Sequence, residues 1–286
     1  MTPPVPRTTI ADLKVRLENI VGERSPFTSP ARLAAVEDYI EKELRALGLA
    51  VESDPFTYRG RSYRNIVART GGGRDSPLFV LGAHMDSVEG SPGADDNASG
   101  VAVLLEAARL LCGKRLGAEV AFCAFNLEEL NMIGSAHFAR RLKSEGAKVA
   151  GMVSLEMLGY TDPKPGSQKY PPALSWFYPD RADFIGVVAN RRSAALRKTF
   201  AAALGRAGLP VETLSVLGNG FLVPQTRLSD HAPFWDLGYP ALLVTDTAFM
   251  RNPHYHRPSD TLDSLDLEFM AKICQGVVGG VLGLAA

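Results

Sequence analysis

Short apolar runs alternate with helix-like segments along most of the chain. The apolar runs have the length of buried strands and occupy residues 78–83, 120–125, 152–155, 184–188 and 242–245. The segments with apolar residues at helical spacing occupy residues 101–111, 133–145, 194–208 and 267–284. Strands that are apolar on both faces need helices on both sides of their sheet. The pattern therefore predicts an α/β fold, a three-layer sandwich with the sheet in the middle.

The first part of the chain has a different pattern, with two helices followed by a hairpin. Helical spacing covers residues 9–20 and 31–47, and residues 51–68 have the β-branched and aromatic content of a hairpin that turns at residues 59–62. We expect residues 1–286 to form a single domain, with N-terminal helices in residues 1–50, the α/β core in residues 51–286 and no separate lid domain.

Two stretches interrupt the alternation of strands and helices. Residues 161–180 contain five prolines, and residues 218–227 show little periodicity. Both are long for connections within a compact domain, and such connections often carry binding residues. They are therefore candidate substrate-binding loops.

Composition and charge argue against several classes of protein. Lys and Arg together number 31, as do Asp and Glu, so the net charge is zero, and no basic stripe indicates nucleic-acid binding. The N-terminus lacks the apolar run of a secretory signal, and the C-terminal apolar stretch is shorter than the roughly 20 residues of a membrane span. Cys112, Cys123 and Cys274 lack metal-binding spacing, so we expect small core residues in a reducing compartment. These observations predict a cytoplasmic protein without nucleic-acid or membrane partners.

Acidic residues and histidines concentrate just after the apolar runs and in turns rich in Gly, Asp and Pro. They occur in AHMDS (83–87), GADDNASG (93–100), NLEEL (126–130), VSLEM (153–157) and HYHRPSDT (254–261). The candidate site residues are His84, Asp96, Glu128, Glu129, Glu156 and His256. Two imidazoles and four carboxylates suit two divalent metal ions and a general base. The sequence therefore predicts a metal-dependent enzyme.

His84 follows an apolar run, and Asp86 lies two positions after it. Residues at this spacing on an extended backbone point the same way, so Asp86 can accept the second N–H of the imidazole. That contact fixes the tautomer of a histidine whose other nitrogen binds a metal. The alternative is a hydrogen-bonded histidine at the end of a strand.

GADDNASG holds adjacent aspartates before a predicted helix. Gly93 permits a tight turn, and Asn97 or Ser99 is able to cap the helix. One interpretation of Asp95 and Asp96 is that both only cap this helix. Capping needs just one of them, which leaves the other free to bridge two metal ions.

Three further carboxylates follow apolar runs. Glu128 and Glu129 are adjacent in a turn and point in different directions, so one can bind a metal while the other stays free as a general base. An ordinary surface pair is the alternative. Glu156 ends a buried run, where a carboxylate is costly unless it binds a metal or, as the alternative, forms a salt bridge. His254 competes with His256 for any role in the last motif.

In this order, the five motifs resemble those of the M28 family of zinc aminopeptidases, over roughly residues 60–286. The resemblance implies a peptide substrate, two zinc ions and a mixed, mostly parallel, twisted sheet between helices. The implied metal ligands are Asp96 between the ions, His84 and Glu156 on one ion, and Glu129 and His256 on the other. The resemblance also makes Glu128 the general base and Asp86 the residue that orients His84.

The sequence departs from the family pattern in three places. Glu156 stands where the best-studied aminopeptidases of the family carry aspartate. Residues 223–228 lack the cysteine pair of some secreted members, and Thr226 falls near the position where those members offer a tyrosine to the tetrahedral intermediate. Stabilisation of the oxyanion then rests on the metals alone or on another group.

Side-chain specificity depends on residues in or beside the irregular segments. They are predicted either to line an apolar pocket or to anchor the loops, and they are Tyr160, Trp176, Phe177, Phe221, Phe249 and Met250. Asp246, after the apolar run 242–245, is a candidate acceptor for the free α-amine of a substrate.

Other functions remain open at this stage. A carboxypeptidase or an N-acyl amino acid amidohydrolase needs a cation for the substrate carboxylate, and Arg227, Arg251 and Arg257 are candidates. Glutaminyl cyclisation with one zinc ion and a non-catalytic binding protein are further alternatives. The complete set of ligands and base argues against both.

Overall fold

The computed structural model describes residues 7–72, 76–171 and 174–284. Both ends of the predicted domain and residues 172–173 of the predicted loop lie outside the described residues. The strands are β1 (Ala50–Tyr58), β2 (Arg61–Arg69), β3 (Leu78–His84), β4 (Glu119–Phe125), β5 (Val149–Glu156), β6 (Ile185–Asn190), β7 (Val211–Val216) and β8 (Ala241–Thr245). The α-helices are α1 (Ile10–Ile20), α2 (Pro30–Ala46), α3 (Gly100–Leu111), α4 (Ile133–Ser144), α5 (Ala194–Arg206), α6 (His231–Asp236) and α7 (Leu267–Gly283).

The eight strands form one mixed sheet in the order β1-β2-β4-β3-β5-β8-β6-β7. The four central strands, from β4 to β8, are parallel neighbours. The antiparallel hairpin of β1 and β2 extends the sheet at one edge, and the parallel pair β6 and β7 joins β8 in antiparallel fashion at the other. This confirms the predicted mixed, mostly parallel sheet. Because the central strands run the same way, their carboxyl ends meet at one edge of the sheet.

Helices cover both faces of the sheet. One face packs against α1, α2, α3, α5 and α7, and the other packs against α4 and α6. In β5, Val153 and Leu155 belong to the core on the first face, and Met152 belongs to the core on the second. The central strands are therefore apolar on both sides, which is the pattern that predicted the three layers. None of the helices in the described ranges is long and apolar enough to span a lipid bilayer.

The sequence pattern predicted all of these strands and helices except β7 and α6. The strand β7 lies at the edge of the sheet, and most of its residues are partly exposed, so it lacks a continuous apolar run. The helix α6 has only six residues, too few to show helical spacing. Cys123 and Cys274 are buried as predicted, and Cys112 is half-buried.

Candidate active site

The six predicted site residues converge at the carboxyl edge of the central strands. The neighbouring strands β3, β4 and β5 carry, at or just after their ends, His84, Glu128, Glu129 and Glu156. The turn before α3 and the connection between β8 and α7 add Asp96 and His256. The parallel arrangement of the strands therefore collects residues that are far apart in the sequence.

The contacts fall into two clusters that share Asp96. In the first cluster, Nε2 of His84 lies 3.2 Å from Oδ1 of Asp96 and 3.3 Å from Oε1 of Glu156. In the second, Nε2 of His256 lies 3.1 Å from Oδ2 of Asp96 and 3.2 Å from Oε2 of Glu129. Within each cluster, one ligand atom per residue lies within 4.8 Å of the others. The two oxygens of Asp96 therefore serve two different clusters.

Glu128 lies beside the first cluster but belongs to neither. Its Oε2 is 3.9 Å from Nε2 of His84, and its side chain is 12% exposed. Burial, together with the negative charges of Glu156 and Glu129, raises the pKa of Glu128 well above its ordinary value. This carboxyl group is thus close to the clusters and free of a strong partner.

Burial and close charges also shift the pKa values of the clusters. Burial alone would raise the pKa of Asp96, but hydrogen bonds from His256 and His84 lower it. Burial would lower the pKa of His256, yet its contacts with Asp96 and Glu129 raise it to about 10. Burial and the charge of Asp96 raise the pKa of Glu129 to about 7. The site concentrates negative charge, which favours cations.

The donor set fits zinc. Imidazole nitrogens and carboxylate oxygens are ligands that zinc accepts. Among the described residues, Oε1 of Glu129 is buried without a hydrogen-bond partner. Buried carboxylates this close together are costly unless cations balance their charge. Each of the two clusters, which share Asp96, has the donor types of a divalent metal site.

Asp86 contacts both His84 and the turn that carries the glutamate pair. Its Oδ1 lies 3.5 Å from Nδ1 of His84 without a hydrogen bond between them, so the orientation of His84 by Asp86 stays a prediction. Its two oxygens also accept the backbone N–H groups of Glu128 at 3.1 Å and Glu129 at 3.2 Å. Asp86 therefore fixes the backbone of the two glutamates and lies next to His84.

A hydroxyl pair fixes the side chain of Glu156. Ser229 donates to Oε2 of Glu156 at 2.7 Å, and the hydroxyl of Ser229 lies 2.8 Å from that of Ser154. This leaves Oε1 facing His84. The longer side chain of a glutamate, compared with the aspartate expected at this position, is thus held in place by the contact of its carboxylate with Ser229.

In GADDNASG, neither aspartate caps α3. Oδ1 of Asn97 accepts the N–H of Gly100 at 3.1 Å, in line with the predicted capping role of Asn97. Asp95 instead accepts from Nδ2 of Asn252 at 2.6 Å and from the N–H of Gly159 at 2.8 Å. Asp95 thereby links the loop that carries Asp96 to the segments after β5 and β8.

Gly93 and Arg24 shape the turn before Asp96. Gly93 has φ of 60°, and a Cβ atom there would lie 2.3 Å from the carbonyl oxygen of Asp96 and 2.7 Å from the guanidinium of Arg24. Arg24 is fully buried and donates to the carbonyls of Met85, Pro92 and Gly93. Nothing in the sequence around Arg24 indicated this role.

A cavity of about 270 Å³ opens beside the two clusters. Of the predicted pocket residues, Phe249 and Met250 line it. The other four do not, and two of them, Trp176 and Phe221, are 82% and 64% exposed. Residues that the sequence did not single out complete much of the wall, among them Tyr170, Tyr178, Phe184, Thr245 and Tyr255.

Asp246 does not reach the cavity, which contradicts its predicted contact with a substrate amine. It is fully buried, and its oxygens accept the backbone N–H groups of Tyr160 at 3.0 Å and Ala248 at 2.8 Å. It follows Thr245, which lines the cavity, and successive residues at a strand end point to opposite sides.

The predicted arginine ligands also have other partners. Arg251 is buried, where it donates to Oε1 of Gln168 and to the carbonyl of Phe184, both at 2.9 Å. Arg227 pairs with Asp236 at 2.7 Å. Neither of these arginines lines the cavity, nor do Arg257 and Tyr160.

Tyr255 was missed, although it precedes His256 in a motif that the sequence singled out. Its ring stacks on the imidazole of His256 with ring centroids 3.8 Å apart, and it lines the cavity. Burial, followed by the charge of Asp96, raises the pKa of Tyr255 well above its ordinary value, so the phenol keeps its proton. His254, the predicted competitor, contacts Ser259 at 2.9 Å instead of either cluster.

Comparison with known sequences agrees with this site. Residues 65–279 match the model of Peptidase family M28. The chain is 42% identical over 256 residues to the uncharacterized protein YfbL of Escherichia coli K12, which covers 84% of this chain and 77% of YfbL. It is 30% identical over 208 residues to leupeptin-inactivating enzyme 1 of Streptomyces exfoliatus, which covers 71% of this chain but 40% of that relative. It is 32% identical over 213 residues to the probable lipoprotein aminopeptidase LpqL of Mycobacterium tuberculosis, with 71% of this chain and 42% of LpqL covered.

Solved structures extend the likeness to the fold. The zinc aminopeptidase BSAP of Bacillus subtilis has a TM-score of 0.61 at 26% identity, over 78% of this chain and 50% of that one. The LapA aminopeptidase of Legionella pneumophila has a TM-score of 0.78 at 20% identity, over 100% of this chain and 75% of that one. A glutaminyl cyclase of Bacteroides thetaiotaomicron has a TM-score of 0.73 at 19% identity, over 98% of this chain and 99% of that one. The last two likenesses concern the fold alone. The family match, the relatives and the motifs together show that this chain is a metallopeptidase of family M28.

Proposed function

We propose that the chain is a dinuclear zinc aminopeptidase, which hydrolyses the peptide bond after the N-terminal residue of its substrate. The observation that carries this proposal is the pair of clusters that share Asp96 beside the cavity. Zinc-binding and aminopeptidase relatives support the metal and the reaction class. The cavity offers an apolar wall for a side chain next to the clusters.

In this proposal each cluster holds one zinc ion, with Asp96 as the shared ligand. The remaining ligands are His84 and Glu156 for one ion, and Glu129 and His256 for the other. Bound zinc supplies Lewis acidity, which activates water and polarises the scissile carbonyl. Asp86 orients His84 and fixes the backbone of the glutamate pair.

Glu128 moves the proton during the reaction. It accepts the proton of the attacking water and passes it to the departing amine. Its position beside His84 but outside both clusters supports this role. Asp86 accepts the N–H of Glu128, which directs the turn toward the clusters.

Tyr255 is the donor that we assign to the developing oxyanion. Its protonated hydroxyl group belongs to a side chain that lines the cavity and stacks on His256. Thr226, near the position where the family offers a tyrosine, instead donates its hydroxyl to the carbonyl of Val223 at 2.7 Å. The oxyanion is then stabilised from the same motif that supplies a metal ligand.

Hydrolysis of matched peptides with free and acetylated N-termini tests the proposed reaction. Zinc-loaded protein should cleave the free peptides alone, and a chelator should abolish that cleavage. Cleavage restricted to acetylated peptides would instead assign the site to an amidohydrolase or a carboxypeptidase. If neither the free nor the acetylated peptides are cleaved, the proposal of a general aminopeptidase is overturned.

The cavity wall argues against reactions that need a substrate carboxylate. Of the described residues, those that line the cavity include no lysine or arginine. A carboxypeptidase or an N-acyl amino acid amidohydrolase needs such a cation to bind its substrate. The likeness to the glutaminyl cyclase concerns the fold alone, and the two complete clusters favour hydrolysis with two ions.

We also propose that residues 1–286 act as one peptidase domain without a separate lid. The packing of α1 and α2 in the same core as α3 and α7 supports this arrangement. A single cooperative unfolding transition is the expected result.

A further inference from the structure

The cavity continues from the clusters along one face of the sheet, away from the metal ligands. Glu156 pairs in register with Thr245, Thr245 with Gly186, and Gly186 with Glu212. All four residues line the cavity. Residues that pair directly across strands point to the same face, and three strand spacings of about 4.8 Å place Glu212 about 14 Å from Glu156. Glu212 is therefore remote from the metals and marks the far end of this arm.

The floor of the arm is apolar between its two ends. The next row of the sheet places Leu243 beside Val188 and Val188 beside Leu214, and all three line the cavity. In the neighbouring row, Gly186 lies between Thr245 and Glu212. Because it has no side chain, the space above it is open. A Cβ atom at Gly186 would lie 3.2 Å from the carbonyl oxygen of Thr245. An extended aliphatic chain fits such a floor.

Glu212 ends this apolar floor with an unpaired carboxylate. Among the described residues, no lysine, arginine or histidine lies within ion-pair distance of it, and none of the cations lines the cavity apart from His256 at the metal end. Burial raises the pKa of Glu212, and no neighbouring cation offsets this effect. A half-buried carboxylate without a partner favours a cationic ligand.

Two tyrosines stand beside this carboxylate. The rings of Tyr170 and Tyr178 stack with centroids 5.8 Å apart, and both line the cavity. Their hydroxyls donate to the carbonyls of Pro179 and Thr213, so neither serves Glu212. Thr213 directly follows Glu212 on β7, so the hydrogen bond of Tyr178 to the Thr213 carbonyl places this tyrosine close to the carboxylate. Aromatic faces next to a carboxylate bind an ammonium or guanidinium group well.

We propose that this arm receives the side chain of the N-terminal substrate residue, and that Glu212 with Tyr170 and Tyr178 selects lysine and arginine. The inference rests on the proposed aminopeptidase function and adds its substrate class. The apolar rows hold the aliphatic stem, and the far end binds the positive charge. The distance from the metals excludes Glu212 as the acceptor for the α-amine.

Matched lysyl, arginyl and norleucyl p-nitroanilides test this selection on the zinc-loaded protein, because norleucine has the lysine stem without the charge. We expect kcat/KM for the lysyl substrate to exceed that for the norleucyl substrate by about ten-fold, as one partly exposed charge-assisted hydrogen bond allows. Glu212→Gln should remove the preference and keep norleucyl hydrolysis. The exposed Glu268 on α7 provides the matched control, since Glu268→Gln should leave the preference intact.

Binding of lysine amide and norleucine amide, measured by calorimetry, separates this inference from the proposed function. Hydrolysis with equal kcat/KM for lysyl and norleucyl substrates would overturn the selection by Glu212 and leave the aminopeptidase function standing. The protein could instead bind lysine amide more tightly, lose this preference in Glu212→Gln, and hydrolyse no substrate. That result would support the cation site and overturn the aminopeptidase function. If the protein shows no binding preference and hydrolyses no substrate, both the inference about Glu212 and the proposed aminopeptidase function are overturned. A preference that persists in Glu212→Gln would also overturn the assignment to Glu212.

Discussion

At the scale of single residues, Glu128 provides the sharpest test of the chemistry. Glu128→Gln keeps the size of the side chain but removes its ability to carry a proton. We expect kcat to fall by about two to four orders of magnitude, the usual contribution of a positioned acid or base. The zinc content should stay at the native value, because Glu128 belongs to neither cluster.

Steady-state kinetics on protein with measured zinc content checks this expectation, and Glu268→Gln again serves as the control. A variant that keeps both its zinc and near-native activity would remove Glu128 from the mechanism. Loss of zinc together with activity would show instead that Glu128 holds a metal.

The sequence placed the charged residues of the site better than its neutral ones. The positions of His84, Asp96 and Glu156 at strand ends and in a Gly-rich turn identified them as candidates, because burying a charged group is costly unless it has a partner or a metal. Ser229 and Tyr255 carry no such cost. The contact of Ser229 with Glu156 depends on the packing of distant segments, and that of Tyr255 with its neighbour His256 depends on the conformation of their loop. Asp246 shows the limit of this reasoning, since a strand-end carboxylate points either into the site or away from it, and the sequence does not fix which.

At the scale of elements, α6 contains a histidine whose burial links stability to pH. His231 is fully buried, and its Nε2 lies 2.8 Å from the carbonyl of Thr226. Burial lowers the pKa of His231 from 6.5 to about 4. The unfolded chain therefore binds the proton more readily, so this stability is complete above about pH 6.5 and is lost as the pH falls toward 4.

His231→Gln removes that titration and should flatten the acid side of the stability profile. The difference in free energy of unfolding between the native chain and the variant should shrink by roughly 3 kcal/mol between pH 7 and pH 4. Urea unfolding at several pH values measures it, with His254→Gln as the control for loss of a half-buried imidazole. A difference that does not change with pH would contradict the proposed titration of His231.

Long buried elements were predictable from the sequence, and short or marginal ones were not. The strands β3, β4 and β5 are apolar on both faces, so their sequences are largely apolar. The edge strand β7 is short and mixes polar and apolar residues without a regular pattern, and it carries Glu212. The element that was missed therefore carries the proposed specificity residue.

At the scale of the whole molecule, the change of strand direction in the sheet separates the two clusters from the proposed binding arm for the substrate side chain. The parallel strands from β4 to β8 gather the proposed ligands at their carboxyl ends. The antiparallel pairing of β6 with β8 then brings the first residues of β6 and β7 to the same edge. The cavity thus extends past the two clusters across strands that carry none of the proposed ligands.

The proposed ligands come from two strands and three connections between elements, so zinc should stabilise the molecule as a whole. A ligand that binds only the folded chain adds about 2.7 kcal/mol when its concentration is 100 times its Kd. For a domain of this size, that free energy corresponds to a rise in Tm of roughly 5–10 °C. Thermal unfolding of zinc-loaded and chelated protein measures this rise. Asp96→Asn should abolish most of it, because Asp96 contributes one oxygen to each cluster, whereas Glu268→Gln should keep it. Equal Tm values for loaded and chelated native protein would mean that the two clusters do not bind zinc in the folded chain.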